Sequence, residues 1–151
     1  MADDTARVQL TPKLIDSLYV EAMVLADEAR SYFDRHGRDD RESLDPLIRV
    51  GFSCESLKVT TRLMHVIAWL LTQRAVEAGE LSRAQARAPA RSLGDAPESD
   101  EALLAGLPES ALGLINASRE LYARVQRLDL SAPEHQASPA RSLLNRLERS
   151  L

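Results

Sequence analysis

Cys54 and His65 are the one thiol and imidazole pair with any prospect of nucleophilic chemistry. Such a pair works only with the two groups in hydrogen-bond reach. Eleven positions apart on one helix, they stand about three turns from each other, which argues against a cysteine nucleophile. The histidines His36, His65 and His135 are scattered, with no HxxxH or CxxC spacing to gather a metal. Asp27, Glu28, Asp39, Asp40 and Glu42 fall in helix or loop contexts that read as solvated, and none is paired with a histidine in the ExxH manner of di-iron bundles. The glycines occur singly, so no phosphate-cradling loop is legible. No enzyme, cofactor or metal is expected.

What the sequence does offer is a row. At roughly 100° per residue, Glu55, Lys58, Arg62, His65, Trp69 and Gln73 are spaced by three or four and stack on one helix face. Lys58 and Arg62 are like charges four apart, slightly destabilising unless Glu55 or a partner offsets them. The only tryptophan shares their row, and tryptophan beside arginine is the composition of an interaction hot spot. Two readings stand. In one, the row, helped by Tyr19, Arg30 and Tyr32, is a partner-binding surface. In the other, Trp69 packs under a neighbouring helix or the 79–98 loop with its indole N–H bonded locally.

The opposite arc of the same segment carries Phe52, Leu57, Val59, Leu63, Met64, Val66, Ile67, Ala68, Leu70, Leu71 and Ala75 over roughly 200°. A helix facing one core needs a stripe of only about 100°. Either this helix is central and touches two neighbours, or part of the arc is a homodimer contact, since an apolar patch left in water is a liability.

These residues need long helices to hold them. Thr11 reads as an N-cap with Pro12 at the first helical position, and Leu10 and Ile15 are placed for a hydrophobic staple. Leu14, Leu18, Ala22, Leu25, Ala29 and Tyr32 or Phe33 then recur at helical spacing to a stop near His36, with Gly37 as a left-handed C-terminal residue. Arg38 to Glu42 reads as a solvated connection. From Pro46 or Ser53 no proline interrupts before Pro89, so a long helix runs to Ala78 with Gly79 ending it. Ser82 caps a short turn. Pro89, Gly94 and Pro97 break the chain, Ser99-Asp100-Glu101 start another short helix, and Pro108 opens a third long one on which Leu112, Ile115, Tyr122 and Val125 share a face, with Leu121 and Leu128 beside it.

The expected fold class is all-α: an antiparallel three-helix bundle over residues 11–129, a polar N-terminus over 1–10 and a flexible tail over 130–151. Low aromatic content, at 4%, and six glycines favour helices over a β-rich fold. The net charge of -4 gives no positive field for a phosphate backbone, so nucleic acid is not an expected partner. The longest apolar run, Val66 to Leu71, falls far short of the ~20 residues that span a bilayer. No membrane role is expected, and with no secretory signal pattern and a single cysteine the expected compartment is the cytoplasm.

FSCESLKVTTRLMHVIAWLLTQRAVEAGEL, from Phe52 to Leu81, resembles the signature of the RcdA family. DSLYVEAMVLADEARSYFD, from Asp16 to Asp34, is similar to its first helix, and ALGLINASRELYARVQRLD, from Ala111 to Asp129, to its third. The resemblance implies a dimeric three-helix bundle with a mobile C-terminal tail, acting without covalent chemistry as an adaptor in the regulated ClpXP proteolysis of the cell cycle. It further implies work beside the response-regulator-like protein CpdR, bringing substrate proteins to the ClpX unfoldase. The competing expectation is a DNA-binding helical transcriptional regulator, since short three-helix folds often carry a helix-turn-helix. The length of the middle helix and the negative charge weigh against it.

Overall fold

The computed structural model describes residues 11–135 and 146–150. Leu10, and with it the proposed staple, lies outside them. The protein is all-α: α1 (Pro12–Ser31), α2 (Arg38–Glu42), α3 (Pro46–Glu77), α4 (Arg83–Ala86), α5 (Glu101–Leu104) and α6 (Glu109–His135).

The helix ends follow local chemistry. The Thr11 hydroxyl accepts from the amide of Leu14 at 3.1 Å, and Pro12 sits where a missing N–H costs nothing. At the far end of α3, Gly79 adopts φ +76. There the amide of Glu80 donates to Ala75 and that of Gly79 to Val76, closing the last orphan carbonyls in a Schellman motif. Ser82 and Gln85 form a reciprocal capping box on α4. Three expectations are corrected. α1 ends at Ser31 and passes into a π-helical turn over Tyr32–His36, so Gly37 sits at φ -84 rather than in the left-handed region. The stretch Arg38–Glu42 is itself a short helix. α6 continues beyond Asp129 to His135, so residues 130–135 belong to the helix and not to a tail.

The three long helices pack on one another. α1 runs antiparallel to α3: Arg74, late in α3, pairs with Asp16, early in α1, at 3.3 Å, while Phe33 just past the end of α1 meets Phe52 at 5.4 Å between ring centroids. α6, however, runs parallel to α3, because Arg62 reaches Ser118 and Trp69 reaches Asp129. The antiparallel arrangement expected from the sequence is therefore wrong for that pair. Parallel neighbours require a long crossover, and residues 78–108 supply it, carrying the chain from the end of α3 back to its start. There Leu103 lies where any side chain at Gly51 would be, 2.3 Å from an ideal Cβ, so α3 passes through a glycine to admit α5. The core gathers Ile15, Leu18, Leu25, Phe52, Val59, Leu63, Val66, Leu70, Ile115, Leu121 and Val125.

Candidate functional site

Helix α3 buries its polar row alongside its core residues Phe52, Val59, Leu63, Val66 and Leu70 and leaves a separate apolar strip exposed. The polar row faces inward. Glu55 is 0% and Arg62 3% exposed, and Trp69 is buried beside them. Lys58, His65 and Gln73 are partly buried. α6 and the returning crossover lie over the row and supply hydrogen-bond acceptors to Arg62 and Trp69, while both Glu55 oxygens and His65 Nδ1 are buried without a hydrogen-bond partner.

Arg62 is the clamp. Its Nη1 donates to Ser118 Oγ at 3.2 Å, and its Nη2 donates to the Pro97 carbonyl at 3.1 Å and to Ser99 Oγ at 2.8 Å. Ser118 in turn donates to the Ile115 carbonyl. Burial pulls the guanidinium below its ordinary pKa, the Glu55 carboxylate opposes that, and Arg119 adds to it. Arginine keeps its proton regardless, so a charge is held inside and must be matched. Glu55 matches it, with Lys58 Nζ at 2.9 Å as an ion pair. Neither Glu55 oxygen meets hydrogen-bond geometry, so Coulomb attraction holds this carboxylate.

About two turns further, the Trp69 indole N–H donates to Asp129 Oδ1 at 2.8 Å, and the same carboxylate accepts from the amide of Leu93. Between them the Gly94 backbone lies on the His65 ring, 2.8 Å from Cε1 to an ideal Cβ, and its carbonyl accepts from the Tyr122 hydroxyl. Burial and the carboxylates Asp95 and Asp129 push that phenol upward in pKa, opposed by a backbone hydrogen bond at Ala96. Row and crossover thus form one polar seam that fastens the parallel pair α3 and α6.

The reading of the row as an open surface is corrected for Glu55, Arg62 and Trp69, all buried: Arg62 takes its partners from residues 97, 99 and 118 and Trp69 from residue 129, far away in sequence, while Glu55 pairs with Lys58 on the same helix. Tyr19, Arg30 and Tyr32 are not brought to it. They lie on the α1 side of α3, where Arg74 stacks over the Tyr19 ring at 4.5 Å, Arg30 is exposed within 4.0 Å of Asp34, and Tyr32 donates to Asp40 Oδ2 at 2.8 Å. Cys54 is exposed, whereas His65 lies under Gly94, so the two are on different faces. Among the described residues no group of three or more metal-ligating side chains converges.

One apolar strip of α3 points outward. Leu47, Val50, Leu57, Met64 and Leu71 are 86, 63, 68, 64 and 47% exposed. With Cys54, Thr61 and Ala68 they are spaced 3, 4, 3, 4, 3, 4, 3 along the whole helix, the a/d repeat of a coiled-coil seam. Of the broad apolar arc expected from the sequence, Leu57, Met64, Ala68 and Leu71 belong to this exposed strip, whereas Phe52, Val59, Leu63, Val66 and Leu70 are core.

The sequence profile of the family described as "Protein of unknown function (DUF1465)" matches residues 6–151. The crystal structure of RcdA from Caulobacter crescentus CB15 is similar at 36% identity and a TM-score of 0.62, over 83% of this chain and 92% of that one. The chain belongs to the DUF1465 family, that of RcdA. No curated protein matches. Among the described residues no helix of this RcdA-family chain is long and apolar enough to cross a membrane.

Proposed function

We propose that the chain is a non-enzymatic adaptor in regulated proteolysis, holding substrate proteins near the ClpX unfoldase of ClpXP in the cytoplasm, beside a CpdR-like response regulator. The likeness to RcdA over nearly the full length of both chains carries this reading. An adaptor acts by effective concentration, so it needs docking surfaces and no reacting groups. The exposed α3 seam is such a surface, and its heptad spacing suits a second copy of the same chain in a homodimer.

The DNA-binding alternative loses its natural contact row, since Lys58 is held by Glu55 and Arg62 is buried. The adaptor reading is tested by passing purified ClpX and a CpdR-like protein over the immobilised full chain, with Met64→Glu alongside. The reading expects retention of the unfoldase complex by the wild-type chain. Absence of retention by a folded chain, at micromolar concentrations of both, contradicts it.

A further inference from the structure

The outward strip of α3 carries a size pattern of its own. In its heptad, the d positions Val50, Leu57, Met64 and Leu71 are large, while Cys54, Thr61 and Ala68, the a positions after Leu47, are small. All of these are exposed except Thr61, which is half-buried. The strip is also prepared for removal from water. The charged residues of α3 between Val50 and Leu71 are Glu55, Lys58 and Arg62, all held in the polar seam, so none stands in the strip. Thr60, Thr61 and Thr72 donate their hydroxyls back to the carbonyls of Ser56, Leu57 and Ala68 at 3.1, 3.0 and 3.0 Å. A helix packed over them leaves none of these donors unmet.

Two copies of the strip can overlap along their whole length in two ways. With parallel helices each residue meets itself, so large layers at Leu57 and Met64 alternate with small layers at Cys54, Thr61 and Ala68 that the large ones hold apart. With antiparallel helices Leu47 meets Leu71, Val50 meets Ala68, Cys54 meets Met64 and Leu57 meets Thr61 of the second copy, and the reverse, about a two-fold axis level with Val59. Three of these four layers set a large residue on a small one. Facing surfaces fill space when large and small side chains alternate across the contact. Full overlap and size matching therefore fall in the same antiparallel register.

We propose that α3 packs antiparallel on the α3 of a second copy in this register. This rests on the homodimer proposed above and fixes its geometry, which the adaptor role itself does not require. The two-fold axis sets both crossovers on one side of the pair, the side of Gly51 and His65, and both α1 helices on the other, the side of Thr60 and Ile67. A partner that reads one crossover then meets two on the same face.

The single cysteine makes the orientation measurable. Parallel helices oppose Cys54 to itself, within the ~7 Å between Cα atoms that a disulfide needs. In the antiparallel register Cys54 stands level with Met64 of the second copy, about 15 Å along the axis from its own counterpart. The full chain, its dimer followed by sedimentation velocity, is oxidised in air with copper phenanthroline and resolved on non-reducing gels. Met64→Cys, at a 64% exposed position, should crosslink at least about tenfold faster than wild type, since paired thiols meet at an effective concentration far above that of free molecules. Cys54→Ser/Met64→Cys should fall back to the wild-type rate. Val50→Cys/Ala68→Cys in the Cys54→Ser background should crosslink as fast as Met64→Cys. Rapid crosslinking of the wild type, or of Cys54→Ser/Met64→Cys, overturns the proposal in favour of parallel helices. A dimer in which neither paired-thiol variant crosslinks overturns it by placing the contact elsewhere. A chain that sediments as a monomer at high micromolar concentration overturns it as well, and leaves the adaptor reading to the retention assay, which needs no dimer.

Discussion

Removing the Arg62 side chain should cost more stability than removing any other charged group of the protein. Arg62→Ala deletes hydrogen bonds to Ser118, Pro97 and Ser99 and leaves the fully buried Glu55 with Lys58 alone. A hydrogen bond to a charged group is worth about 1.5–3 kcal/mol, and breaking one half of a buried charge pair costs about 3–5 kcal/mol. These overlap, so a total of about 3–4 kcal/mol is the reasonable sum. With a urea slope of about 2 kcal/mol/M, the unfolding midpoint followed by circular dichroism should fall by about 1.5–2 M. Arg62→Lys keeps the charge but cannot span three acceptors, and should lose about half as much. Amides of residues 93–100 should exchange faster in both. A midpoint within about 0.3 M of wild type in Arg62→Ala would refute the clamp and return Arg62 to the surface.

Trp69→Phe should cost about 1 kcal/mol and Asp129→Ala about 2 kcal/mol in the same denaturation assay, because Asp129 also holds the Leu93 amide. Gly94→Ala would press a methyl into the His65 ring, losing about 1–3 kcal/mol, and His65→Ala in the same chain should recover part of it. Tyr32 is raised above its ordinary pKa of about 10 by burial, then by its hydrogen bond to Asp40 and by that residue's charge. Its contribution is therefore complete below pH 10 and lost as pH rises above it, since the unfolded phenol ionises first. Thermal midpoints should fall between pH 10 and 11 in the wild type and fall less in Tyr32→Phe.

Helix existence was legible wherever capping chemistry is local: Thr11 with Pro12, Gly79 and Ser82 each mark an end that the structure keeps. The burial of the α3 row was not. Spacing correctly put Glu55, Arg62 and Trp69 on one face, but which face turns inward depends on acceptors at Pro97, Ser99, Ser118 and Asp129, supplied from as far as 60 positions away. The same crossover makes α6 parallel to α3, a topology that periodicity cannot report. Six further residues of α6 were missed because Pro133 and the small residues around it look like a tail, yet α6 runs through them to His135. The outward seam of Leu57, Met64 and Leu71 was visible as apolar, and one of the readings left part of that arc in water. What it faces depends on association and not on the chain's own fold.

The adaptor role is tested most directly by reconstituted proteolysis. Purified ClpXP, a CpdR-like regulator and a candidate substrate are mixed with and without the full chain, and substrate loss is followed in time. The chain should speed degradation severalfold, at sub-stoichiometric amounts, and survive the reaction chemically unchanged. Degradation of the candidate substrate at the same rate with and without the folded chain would contradict it.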